Sequence, residues 1–80
     1  MPGLLPRLEA VLADVREELI SATQMHGPMR SRHEGYAVIL EELDELWDNI
    51  KANNHGRAER SEAIQVAAMA ARYILDLLDE

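Results

Sequence analysis

Five acidic side chains crowd one short stretch, Glu41, Glu42, Asp44, Glu45 and Asp48, and no base appears before Lys51. On a helix, Glu41 and Glu45, Glu42 and Glu45, and Asp44 and Asp48 lie about one turn apart, and each pair is destabilising by about 0.2–0.5 kcal/mol. A cation, or arginines from elsewhere in the chain, would relieve that repulsion. The alternative is a solvated acidic face that serves solubility. A second stripe follows at helical spacing: Glu62, Gln65, Met69, Arg72 and Asp76. Facing water, it would place Glu62 near a helix start and pair Arg72 with Asp76. Facing the acidic stretch inside a bundle, it would gather Glu42, Glu45 and Glu62 in one region, where buried carboxylates require a metal or a guanidinium.

Between residues 26 and 33 lie Arg30, Arg32, His26 and His33. The two arginines precede the acidic stretch, so they could contact phosphates at a helix N-terminus, or simply offset nearby acids in a polar connector. The histidines have no metal-ligand company, since the chain has no cysteine and no histidine pair at helical spacing. Met69 reads as packing. Tyr36 and Trp47 read as core aromatics, either able to stack a base if close to a site.

Three helices must position these groups. Leu5, Leu8, Leu12, Val15, Leu19 and Ala22 form one helical stripe, with Pro6 tolerated near the start and the helix stopped at His26, Gly27 and Pro28. Ser31 and Glu34 have the spacing of a capping box, each side chain satisfying the other's backbone N–H. From there Tyr36, Ile39, Leu40, Leu43, Leu46, Trp47 and Ile50 predict a second amphipathic helix of about five turns and ~30 Å. It ends at Lys51, before the left-handed cap candidates Asn53, Asn54, His55 and Gly56. The third helix, expected over 58–78, is apolar around most of its circumference. Two partner helices cover such a rod poorly, so a second protomer is expected to complete a bundle of four or more helices. The alternative is a small three-helix monomer with exposed alanines.

The composition narrows the partners. Eighty residues, expected to form one domain over 1–80, bury only about 60% of the surface of the unfolded chain, which makes self-association a natural remedy. Eight Lys and Arg against 15 Asp and Glu leave a net charge of -7, which argues against nucleic-acid backbones and anionic membranes. The absence of cysteine fits a reducing compartment. Met1 to Val15 lacks the basic start of a signal peptide, and no apolar run approaches the ~18 residues of a membrane span, so a cytoplasmic protein is expected.

Over about the last 50 residues the chain resembles a known family. Glu41-Glu42-Leu43-Asp44-Glu45 and, after the 16 residues from Leu46 to Ser61, Glu62-Ala63-Ile64-Gln65 are similar to the E-x-x-E … E-x-x-D signature of the all-α nucleoside triphosphate pyrophosphohydrolases. These are the MazG-like proteins, related to dimeric dUTPases and phosphoribosyl-ATP pyrophosphatase. The stretch from His33-Glu34-Gly35-Tyr36 to Ala67-Ala68-Met69-Ala70 looks like their compact phage and bacterial subgroup. The resemblance implies an all-α homodimer or homotetramer in which Glu42, Glu45, Glu62 and Gln65 hold Mg²⁺ or Mn²⁺. It also implies a nucleoside triphosphate substrate, cleaved to the monophosphate and pyrophosphate. Gln65 stands where the family has Asp, and a shifted register would pair Glu59 with Glu62 instead. Glu41 is the candidate to orient or deprotonate the attacking water, and Arg30, Arg32 and Arg72 are the candidate phosphate contacts. Two further readings stay open: a degenerate member that binds nucleotide or metal without turnover, and an acidic helical adaptor for a basic partner.

Overall fold

The computed structural model describes residues 3–79, and these form three helices: α1 over Leu4–His26, α2 over Arg32–Lys51 and α3 over Arg57–Tyr73. Beyond Tyr73 the helix continues as one wider turn, Ile74–Leu78, closed by the Asp79 N–H donating to the Ile74 carbonyl at 2.7 Å. No strand occurs among the described residues, and none of their helices is long and apolar enough to cross a membrane.

Local chemistry sets the helix ends. At the start of α2, Ser31 is extended and its hydroxyl accepts the Glu34 N–H at 3.0 Å. The reciprocal half of the capping box is displaced by one residue, because the Glu34 carboxylate accepts the Arg30 N–H at 3.2 Å. Gly27, at φ 69°, ends α1, and Asn53, at φ 57°, takes the left-handed position after α2.

α3 is the central rod. Asp14 meets Arg60 and Gly27 meets Arg72, so α1 runs in the same direction as α3. Gly35 lies against Tyr73 and Glu42 beside Gln65, so α2 runs the opposite way. α1 and α2 pack on α3 and barely meet each other. The outcome is a flattened layer, 41 × 31 × 19 Å, with a radius of gyration of 13.7 Å, where a compact chain of this length would have roughly 12 Å.

So open an arrangement buries little. The core is Ala22, Met29, Ala68 and Met69, with Val15, Leu19, Val38, Ile39, Tyr73 and Leu77 packed around it. Only the C-terminal half of the α1 stripe is used, and Leu5, Leu8 and Leu12 are exposed. The stripe expected to bury α2 splits in the same way. Ile39 and Leu46 are half-buried, but Tyr36, Leu40, Leu43, Trp47 and Ile50 face outward. Tyr36 and Trp47 are therefore not core residues in this chain. Trp47 is 53% exposed, with the Lys51 ammonium 5.7 Å from its ring centre. The physical reason is that α2 has one neighbour and meets it through Gly35, Val38 and Glu42. The close approach depends on Gly35, where a Cβ would stand 2.5 Å from the Tyr73 ring.

Candidate metal centre

The polar stripe of α3 faces the interior. Met69 and Arg72 are 5% and 4% exposed, and Glu62, Gln65 and Asp76 are half-buried. Antiparallel packing then carries Glu62 to the acidic segment of α2. One carboxylate oxygen each from Glu42, Glu45 and Glu62 lies within 4.8 Å of the others, the only such grouping among the described residues. Glu42 and Glu62 are half-buried, while Glu45 forms the exposed lip.

Three carboxylates this close cannot all ionise freely. Burial, then the charge of Glu45 and that of Glu62, pushes Glu42 up to about 7. Burial, then hydrogen bonding to Glu45 and its charge, raises Glu62 as well. Glu62 also feels Glu18, which reaches the same region from α1. Its Oε2 is buried without a hydrogen-bond partner. Hard oxygen donors, mutual repulsion and an orphaned buried oxygen together make a set that could hold a hard divalent cation.

Gln65 enters the site differently from the other three. With its amide oriented to satisfy its neighbours, its nitrogen donates to the two Glu42 oxygens at 2.7 and 3.3 Å. The amide oxygen does not face that carboxylate, so Gln65 orients Glu42. Glu59, the other member of the shifted register, is 2.9 Å from the His55 ring and lies outside the cluster. Glu62 and Gln65 thus adjoin Glu42, and Glu59 does not.

Beside the carboxylates a cleft of about 450 Å³ opens between the helices, lined by Glu34, Glu41, Glu42, Gln65, Met69 and Arg72, among others. Glu41, exposed and one turn before Glu45, lies on its wall. Arg72 also lines it, but its guanidinium is engaged within the fold. It donates to the Gly27 carbonyl and lies 3.5 Å from Asp76, whose other contact is the Met29 N–H at 2.8 Å. Its Nε has no hydrogen-bond partner. Arg30 and Arg32 are exposed and do not line the cleft. Asp48 pairs with Lys51 at 3.6 Å on the surface, and Asp44 faces solvent.

Glu18 is the residue that motif reading overlooks. Its signal is its place between Val15 and Ala22, at spacings of three and four on the buried side of α1. No family model, curated protein or solved structure matches this chain.

Proposed function

We propose that this chain is a MazG-like, metal-dependent nucleotide pyrophosphohydrolase that converts a nucleoside triphosphate to its monophosphate and pyrophosphate. The observation that carries the reading is the convergence of Glu42, Glu45 and Glu62 from two helices, with a buried Glu62 oxygen left unpartnered. These three residues would hold Mg²⁺ or Mn²⁺, with Gln65 keeping the Glu42 carboxylate in place by donating to it. When bound, the cation neutralises phosphate charge and lowers the pKa of a water that attacks phosphorus. Glu41, on the cleft wall, orients that water and accepts its proton. Arg72, held by Gly27 and Asp76, supplies fixed positive charge on a cleft otherwise rich in carboxylates. Without a cation, a chain of net charge -7 would repel a polyphosphate. The assembly expected with this function is a homodimer or homotetramer.

Pyrophosphate release across a nucleotide panel, with Mg²⁺ or Mn²⁺ present, tests the reading. Release by the parent and none by Glu42→Ala or Glu45→Ala supports it; release no greater than these variants defeats it.

One observation favours a second version. Because the Gln65 nitrogen faces Glu42, three carboxylates are present where the family has four, which fits a member that binds metal or nucleotide without turnover. Gln65→Asp separates the two: hydrolysis that appears only in the variant identifies the parent as deficient at that position. The adaptor reading keeps its exposed acids on α2, Glu41, Asp44, Glu45 and Asp48, with only Glu42 half-buried, and salt-dependent capture of a basic protein without any response to Mg²⁺ would favour it.

A further inference from the structure

α2 has two long faces of opposite character. One, through Gly35, Val38 and Glu42, lies on α3. The other carries Tyr36, Leu40, Leu43, Trp47 and Ile50, at spacings of four, three, four and three, all 38–65% exposed. That is the repeat of a helix built to pack lengthwise on another helix. Ile39 and Leu46, half-buried between the two faces, widen the apolar seam. At its Tyr36 end the seam opens into an apolar groove of about 390 Å³, bounded across α3 by Ala70, Tyr73 and Ile74.

The chain as a whole leaves more surface uncovered than a closed monomer of its mass. The chain exposes 6111 Å², whereas a folded monomer of 9.0 kDa exposes roughly 4,900 Å². That excess, roughly 1,200 Å² over the whole chain with the exposed α1 stripe included, is enough to supply the about 1,000 Å² or more that each copy surrenders in an obligate homodimer. An anionic membrane is a poor alternative cover for a chain of net charge -7.

We propose that a second copy of this chain covers this face, α2 lying antiparallel on α2 about a two-fold axis at Leu43. Antiparallel alignment sets Leu43 against itself and Leu40 against Trp47 of the other copy. It also brings the Trp47 and Ile50 end of each seam to the apolar groove at the Tyr36 end of the other. A parallel pair would set Trp47 on Trp47, leave the groove unfilled and align the two helix dipoles. The inference deepens the self-association in the proposed function by naming its surface, and it does not depend on the metal chemistry.

The test is sedimentation equilibrium of the full chain in metal-free buffer, joined to cross-linking. The expected mass is twice 9.0 kDa, or a higher even multiple. Leu43→Arg, a change at an exposed position, should halve that mass while the far-ultraviolet spectrum stays helical. Because the chain has no cysteine, Leu43→Cys should give a covalent dimer on mild oxidation, and Leu12→Cys, in the exposed stripe of α1, should not. Trp47, the single tryptophan, should show blue-shifted emission in the parent and red-shifted emission in Leu43→Arg. A 9.0 kDa mass at every concentration overturns the proposal, including the case in which neutral lipid vesicles or another protein shift the Trp47 emission. So does an oligomer whose mass is unchanged in Leu43→Arg and whose Leu43→Cys variant does not cross-link. Metal binding is read separately, by melting with and without Mn²⁺, so failure of either idea leaves the other measurable.

Discussion

The two faces of α2 invert the usual arrangement of a small protein. Its inner face, against α3, gathers carboxylates that repel one another, and its outer face presents leucine, isoleucine and tryptophan to water. Each is unfavourable for an isolated copy: close acids resist ionisation, and exposed apolar area forfeits about 25 cal/mol for every Å² left uncovered. The remedies differ in kind. A cation relieves the inner face through charge, and another apolar surface relieves the outer one through burial. The difference shows that polarity alone does not reveal which side of a helix lies inward.

If the inner face carries the stability of the single chain, the largest effect belongs to Arg72→Ala. It strands Asp76 and the Gly27 carbonyl in a buried position, and urea unfolding should show a loss of about 3 kcal/mol. A loss no larger than that of Arg60→Ala, which breaks the exposed Asp14 pair, would show that the inner polar stripe is not under tension. Next is Gly35→Ala. The added methyl gains helix propensity but collides with Tyr73, leaving a net loss of about 2 kcal/mol in the same assay. Unchanged stability would mean that α2 and α3 can separate without cost.

Protonation gives a smaller effect with a definite sign. The unfolded chain releases the Glu42 proton near 4.5 and the folded chain holds it up to about 7, so between these values the folded state binds more protons. Stability is therefore greatest below the lower value and falls as pH rises through the window. Solvent screening around this partly exposed cluster limits the loss to about 1 kcal/mol. Melting curves of the metal-free protein at pH 5 and pH 8 check the direction. Mn²⁺ should restore the melting temperature at pH 8, and a temperature that rises with pH would contradict the cluster. Glu42→Gln, nearly isosteric, should flatten the pH dependence and weaken the Mn²⁺ shift; an undiminished shift would remove Glu42 from the ligands. The smallest effect concerns the outer face. Asp44 borders the proposed two-fold axis and would approach its own copy, so Asp44→Asn should tighten association by a few-fold at low salt and not at high salt.

Much of the scaffold is legible because it is local. The Ser31 cap, the Gly27-Pro28 stop and the left-handed Asn53 depend on neighbours within a few residues, and the structure keeps them near where spacing puts them. The shared face of Glu62, Gln65, Met69, Arg72 and Asp76 is equally legible, since helical period alone sets it. Its direction is not. Whether that stripe met α2 or water depended on how α3 is rotated between its neighbours, a property of the whole bundle.

The apolar run of α2 was misleading for a related reason. Tyr36 and Trp47 read as core because apolar periodicity marks a surface that needs burial, without saying whether the cover comes from the same chain. Gly35 and Glu18 gain their meaning from contacts with Tyr73 and proximity to Glu62, partners distant in sequence.

What the amino-acid order determined, then, is the rods, their ends and the membership of each stripe, since these follow from backbone geometry and interactions a turn or less apart. Only the tertiary arrangement decided which stripes meet. Long-range packing must choose among several nearly equivalent rotations of each rod, and here it set the carboxylates together and left the apolar seam of α2 outside.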